Sequence, residues 1–465
     1  MKNETKKKLK TLTEGNIALN MLLYALPLVV SYIISQSYSI VDEIIAGKFI
    51  NEFSLGAVSS TASFAALFRA LFNGFSAGCA IYVSQLFGKK DYAGIKRDIP
   101  GLATFVAFAS IFVSALSILF RHPIMDYLKI DPALRGEAEI YFILYTAGYI
   151  TTYVNLFLSN ILHALGVTSV SIYISVSTAL TKIAVTLLTV TVFSMGVAGL
   201  AVSTLVASGI STVIYIVILR KVFQQMECEP VGYKFSFSCV RRSLSYSLPA
   251  TIQQVSFHGV SFLISPAING LGAAATTGNS VANRMYGLAT EGLWAAASAF
   301  ACYTGQCVGE GSVKKIRRGV KTGFLLNCAV LLPFVAVSML FADPIVSLFF
   351  PKDYTGEAFV YALRYATVFL PFVYVQLIGH FLHTYMRSLG RVKVVQIITL
   401  ICSTIRVAAT LLLVPVMHID GVFVAQIISW AVDAVICTVL FFRLYRTDAH
   451  LEKILSSVHN KLEQK

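Results

Sequence analysis

Asp42 and Glu43 stand side by side after a run from Ile17 to Val41 that holds no charged residue. A carboxylate in such a place can take up and release a proton, because a low-dielectric surround raises its proton affinity. It could equally cap a helix at the outer headgroups. Successive helical residues point about 100° apart, so the two acids must face different neighbours. Five basic residues also lie inside or at the ends of apolar runs: Arg69, Lys182, Arg284, Arg364 and Arg406. A cation there is costly unless paired, which makes these residues candidates for ion pairs or anion sites, although Lys182 could also snorkel to a headgroup. Glu291 and Asp433 are acids that Arg69, Arg284 or Arg406 could neutralise. His380 and His383 share a helical face at i, i+3, as a metal would require. With no third ligand in view, neither metal nor cofactor is expected.

The elements that must carry these residues follow from composition. Of the 465 residues 56% are apolar and 13% charged, with a mean hydropathy of +0.73, which excludes an ordinary soluble domain. Apolar runs of about twenty residues, each able to cross a hydrocarbon core of about 30 Å as helix, recur roughly twelve times. They are continuous rather than alternating, which argues against a β-barrel. The expectation is an all-α polytopic membrane protein with twelve spans. The first sixteen residues are polar and Lys-rich with no cleavable leader apparent, so the first helix is expected to stay as an anchor.

The net charge of +14 does not call for nucleic acid. The N-terminal tail, every second loop and the C-terminal tail hold 27 of the 37 Lys and Arg, and the opposite side holds five. That asymmetry is the positive-inside rule, and an even span count puts both termini in the cytoplasm of an inner-membrane protein. The eight cysteines occur without a C-x-x-C pair and read as small packing residues. No P-loop, H-E-x-x-H or G-x-S-x-G occurs, so an enzyme is not expected and active transport would draw on an ion gradient.

The two halves of the chain repeat. "YALP" at Tyr24 returns as "YSLP" at Tyr246, and "QLFGKKDYAGIKR" from Gln85 as "QCVGEGSVKKIRR" from Gln306. "ALGV" at Ala164 answers "SLGR" at Ser388, and sixteen residues after each glycine comes a basic residue, Lys182 or Arg406. One offset of 221 to 225 residues serves all these pairs. Six helices per half give parallel repeats related by a pseudo-two-fold along the membrane normal. The expected division is a cytoplasmic tail over 1–16, an N-lobe over 17–220, a linker over 221–243, a C-lobe over 244–442 and a second cytoplasmic tail over 443–465. Pro27 and Pro249 each remove a backbone hydrogen bond in a leading helix and are expected hinges.

Together, "VDEIIAGKF…LGAVSS", "QLFGKKD", "ALG…MGVAGLAVST" and "LPA…QQVSF", in this order, resemble the multidrug and toxic compound extrusion (MATE) family over residues 15–445. The resemblance implies a monomeric secondary transporter in a lipid bilayer, exporting small organic molecules in exchange for H⁺ or Na⁺. Its bacterial branch carries a coupling acid fifteen residues after the kink proline, which is Asp42 here. Where relatives carry Asn and then Asp in the fifth helix, this chain has Lys182 and Thr186. A fixed ammonium there could pair with Asp42, which disfavours Na⁺. Lys182, Thr186 and Thr204 are accordingly expected around the coupling ion with Asp42. Gln36, Tyr38, Asn155, Gln253, Gln254, Phe257, Arg284, Glu291 and Arg406 are expected to line the substrate cavity, beside aromatic residues such as Tyr286, Trp294 and Tyr374. The alternatives are a flippase for lipid-linked saccharides, which favours a cationic cavity, and a membrane transferase, whose acids would have to come from the unremarkable loop 121–138.

Overall fold

The computed structural model describes residues 12–49, 52–127, 135–228, 237–350, 355–445 and 447–463, with the backbone alone over 36–49, 52–66 and 459–463 and at 127, 137, 197, 262, 269, 273, 444 and 445. Every regular element among them is helical. In chain order they are α1 (Ile17–Phe49), α2 (Glu52–Gly88), α3 (Tyr92–Leu119), α4 (Arg121–Tyr127), α5 (Arg135–Ala147), α6 (Tyr149–Ala164), α7 (Val170–Leu187), α8 (Val197–Gln225) and α9 (Phe237–Asn269). The second half continues with α10 (Ala273–Glu310), α11 (Val313–Leu340), α12 (Ala342–Ser347), α13 (Glu357–Arg364), α14 (Val373–Ser388), α15 (Val392–Met417), α16 (Ile419–Leu440) and α17 (Asp448–Glu463).

Nine stretches among the described residues are long and apolar enough to cross a membrane. The helices α9 and α10, of 33 and 38 residues, are as long but more polar. A single residue, Gly148, separates α5 from α6. With α9, α10 and the α5–α6 pair, the nine become the expected twelve. Large apolar side chains face outward: Phe108 is 65% exposed, Leu412 74% and Leu340 79%. Gln85, Asp98, Gln306 and Asn327 are meanwhile fully buried. Apolar outside and polar inside suits hydrocarbon, not water.

The chain divides into two compact units, one spanning Pro27–Thr251, the other joining Leu12–Leu26 to Ile252–Lys465. The divisions fall inside α1 and α9, at Pro27 and just beyond Pro249. In the first unit the opening half of α9 lies tight on α2. A Cβ at Gly74 would meet the backbone of Thr251, and one at Gly78 the backbone of Ser247, so only glycine permits this approach. Tyr246 donates to Gln85 Oε1 at 2.8 Å. Nearby, Asp98 takes Tyr82 Oη–H at 2.7 Å, Arg97 Nε–H at 2.9 Å, and both Nε and Nη2 of Arg242.

In the second unit Gln306, the repeat partner of Gln85, accepts the Leu12 N–H at 2.8 Å. Glu310 accepts from Thr13 and, on its other oxygen, from Lys315 at 2.6 Å. The two repeated loops of the sequence therefore end one helix and begin the next in both units, α2–α3 and α10–α11. The core of the second unit gathers Met285, Leu293, Leu331, Leu370, Leu377 and Phe423. Helices reach from both sides into the basic stretch between the halves, because α8 runs to Gln225 and α9 begins at Phe237.

Candidate functional site

In the first unit the site is carried by α7 and α8. Thr178 and Ser211 hydroxyls meet at 2.5 Å, and Thr189 Oγ1 donates to the Gly199 carbonyl at 3.3 Å. These two contacts fix an antiparallel register in which Thr204 stands level with residues 182–186. Lys182 and Thr186 share one face of α7, one turn apart. Lys182 is half-buried, whereas Thr186 is fully buried with its hydroxyl unpartnered among the described residues. Thr204 spends its proton on the Leu200 carbonyl at 3.0 Å, which leaves its lone pairs open. The structure thus brings Lys182, Thr186 and Thr204 to one level. The side chains of Gln36, Tyr38, Asp42 and Glu43 lie outside the described residues.

Asn155 sits half-buried on α6, one turn beyond Thr151, which binds Ser208 of α8 at 2.8 Å. Beside it runs a feature that sequence reasoning missed, a ladder of Tyr141, Tyr145, Tyr149 and Tyr153. Its successive ring centroids are 5.5, 5.8 and 4.8 Å apart. Phe72 stacks on Tyr153 at 4.0 Å, and Arg69 Nη2 reaches the Tyr145 hydroxyl at 3.5 Å. The signal was present in the i, i+4 spacing of four tyrosines, which puts them on one helical face.

In the second unit Gln253 of α9 donates to Thr399 of α15 at 3.1 Å, and its carbonyl oxygen stays buried and unpartnered among the described residues. Gln254 and Phe257 are half-buried on the same helix. Arg284 is exposed, with its guanidinium 5.4 Å from the Phe349 ring centroid. Tyr286 accepts from Gln376 Nε2 at 2.6 Å and stacks on Trp430 at 5.9 Å. Arg406 of α15 is half-buried with Nε unpartnered among the described residues, within electrostatic range of Tyr286 and Tyr365. A π-helical turn over Tyr365–Phe369, followed by Pro371, breaks the helix between α13 and α14 where Tyr365 sits. Arg406, Tyr286, Tyr365, Gln376 and Trp430 form one polar and aromatic cluster on five helical segments.

The charges pair otherwise than the sequence suggests. Asp433 faces His383 at 3.0 Å, not an arginine. Arg364 binds Asp420 at 2.7 Å. Glu291 is half-buried and has no ionic or hydrogen-bond partner among the described residues. The two histidines of α14 also diverge, His380 packing edge-on against Trp294 at 4.5 Å while His383 turns to Asp433. The physical reason is helix rotation, since which side of α14, α15 or α16 faces inward depends on interhelical packing that single-residue spacing does not encode.

The MatE family model matches residues 27–188 and 249–412, together more than half of the chain. The two matched stretches open on Pro27 and Pro249. The chain is 22% identical over 395 residues to the "Probable multidrug resistance protein YpnP" of Bacillus subtilis, covering 84% of this chain and 86% of that one. Its fold superposes on the Vibrio cholerae MATE transporter VcmN, solved as a point mutant, with a TM-score of 0.85 at 16% identity, over 94% of this chain and 98% of the other. A Pyrococcus furiosus transporter of the MOP superfamily, described by the reverse polarity of its binding pocket, gives a TM-score of 0.82 at 18% identity over 94% and 97%. Two repeated six-span halves, each matched from its kink proline onward, are the architecture of one family, and the chain belongs to it: it is a multi-pass membrane protein of the MatE family.

Proposed function

We propose that this protein exports small organic compounds from the cytoplasm by antiport with H⁺, as a monomer in the cytoplasmic membrane with both termini inside. Family membership and the name of its Bacillus subtilis relative support the export of drugs. The choice of ion rests on Lys182. It lies one turn from Thr186 and level with Thr204, so a basic side chain shares the level of the oxygens that would otherwise hold Na⁺. Asp42 is the coupling acid in this reading. Deprotonated, it pairs with Lys182; protonated, it lets go, and the leading helix is free to bend at Pro27. The division of compact units at Pro27 and just after Pro249 supports those prolines as the hinges. In proteoliposomes at a fixed pH gradient, replacing Na⁺ by choline should leave drug export within about twofold. Strict Na⁺ dependence would reject the reading.

Substrate charge follows from which groups stay unpaired. With Asp433 facing His383 and Asp420 holding Arg364, Arg406 keeps only tyrosine hydroxyls around it among the described residues. An uncompensated guanidinium in an aromatic setting suits zwitterionic or anionic amphiphiles. The Pyrococcus furiosus transporter, described by a pocket of reversed polarity, supports such a change within this fold. Anionic dyes should therefore compete with cationic dyes of matched size, and Arg406→Gln should weaken the anionic competitor by about tenfold. Binding of cationic dyes alone would make Arg406 structural.

A further inference from the structure

Four side chains of the second unit converge where α14, α15 and α16 meet. His383 Nε2 lies 3.0 Å from Asp433 Oδ1, and the thiols of Cys402 and Cys437 each lie 3.7 Å from that same oxygen. The donor atoms of His383, Asp433 and Cys437 all fall within 4.8 Å of one another. The His383 side chain is only 9% exposed, yet its Nε2 has no hydrogen-bond partner, because it stands at the right distance from Asp433 and out of line for a bond. Both cysteines are buried. An orphaned imidazole nitrogen beside a carboxylate on which two thiols converge is a set of electron-pair donors that a metal ion could share.

We propose that His383, Cys402, Asp433 and Cys437 form a tetrahedral site for a divalent cation of the zinc class. Zinc holds imidazole nitrogen and carboxylate oxygen at about 2.0 Å and thiolate sulfur at about 2.3 Å, so tetrahedral edges come to about 3.3 Å for N and O and about 3.5 Å for S and O. The three distances to Asp433 Oδ1, 3.0, 3.7 and 3.7 Å, are near these edges, whereas Cys402 lies outside the group of three whose donors all fall within 4.8 Å and must swing its side chain toward His383 and Cys437 on binding. Both thiols give up their protons to solvent on binding, which leaves two thiolates, one carboxylate and a neutral imidazole around the dication. Arg387, one turn beyond His383 on α14, adds positive charge on that side. With four protein ligands no position remains open, so the ion is structural and fastens three helices of one unit.

The local sequence is built for this. Ser429, Asp433 and Cys437 fall on one face of α16, and Ser429 Oγ–H donates to the Cys402 carbonyl at 2.9 Å, locking α16 to α15 beside the ligands. On α14 the residue one turn before His383 is Gly379, where a Cβ would collide with the Asp433 carboxylate. Glycine leaves the room that the carboxylate occupies.

The test uses the full-length protein, purified in detergent and stripped with a chelator, then titrated with Co²⁺ and with Zn²⁺. One Co²⁺ per chain should bind with intense near-ultraviolet thiolate-to-metal absorption, Zn²⁺ should displace it, and the thermal midpoint should rise by several degrees. Cys402→Ser and Cys437→Ser should each reduce the absorption and weaken binding at least tenfold. Gly379→Ala, which removes no ligand, should weaken binding by about tenfold through the displaced carboxylate. Absence of the thiolate band in the wild-type protein would overturn the site even if every variant failed to fold. So would unchanged Co²⁺ binding in the double cysteine variant.

Discussion

Asp42→Asn should abolish gradient-driven export while the protein remains folded and still binds drug. The amide keeps the size of the carboxylate and can neither accept the transported proton nor pair with Lys182 as an anion, so binding survives and coupling does not. Because a pump without its proton site is at best a leak, export against a gradient should fall to the level of protein-free vesicles, whereas drug affinity should shift by no more than a few fold. Glu43→Gln is the control, since Glu43 points about 100° away around the helix. Its export should stay within about twofold of the unaltered protein. Proteoliposome efflux of a fluorescent drug under an imposed pH gradient measures both, and full export by Asp42→Asn would remove Asp42 from the mechanism.

The second large effect concerns stability. Asp98 is fully buried and its carboxylate is held chiefly by the fork of Arg242, which brings the opening of α9 onto α3. Arg242→Ala strands that carboxylate, and breaking a buried pair from one side costs about 3 to 5 kcal/mol. Arg97, at 2.9 Å and half-exposed, offsets part of the loss, so the lower figure is expected. Removing both charges together, as in Asp98→Asn with Arg242→Met, should recover more than half of it. Thermal unfolding in detergent followed by size-exclusion chromatography reports these changes. A single Arg242→Ala variant as stable as the unaltered protein would show the pair to be ornamental.

The repeat was legible because it is a property of order: paired prolines, paired Gln loops, and a basic residue sixteen positions after each glycine all survive without knowledge of contacts. Gln85 and Gln306 show how far that reaches, since both are fully buried acceptors, as their alignment suggests. Ion pairing was not legible. His383 and Asp433 are fifty residues apart in sequence and meet only because α14 and α16 present particular faces to each other. Read one at a time, the cysteines became packing residues. Cys437 lies one turn after Asp433 and was visible locally, whereas Cys402 arrives from another helix. Lys182 stood out because a charge within an apolar run is costly wherever it points, but its level with Thr186 and Thr204 came from hydroxyl contacts between α7 and α8.

Proton antiport couples the two fluxes both ways: a gradient of substrate must move protons if a gradient of protons moves substrate. Vesicles carrying the protein and a trapped pH dye, equilibrated with no ion gradient and then given an outward drug gradient, measure this directly. The expected result is a drug-dependent change in lumenal pH, abolished by Asp42→Asn and indifferent to the replacement of Na⁺ by choline. Drug movement with no change in lumenal pH, or a flux of Na⁺ in its place, would contradict it.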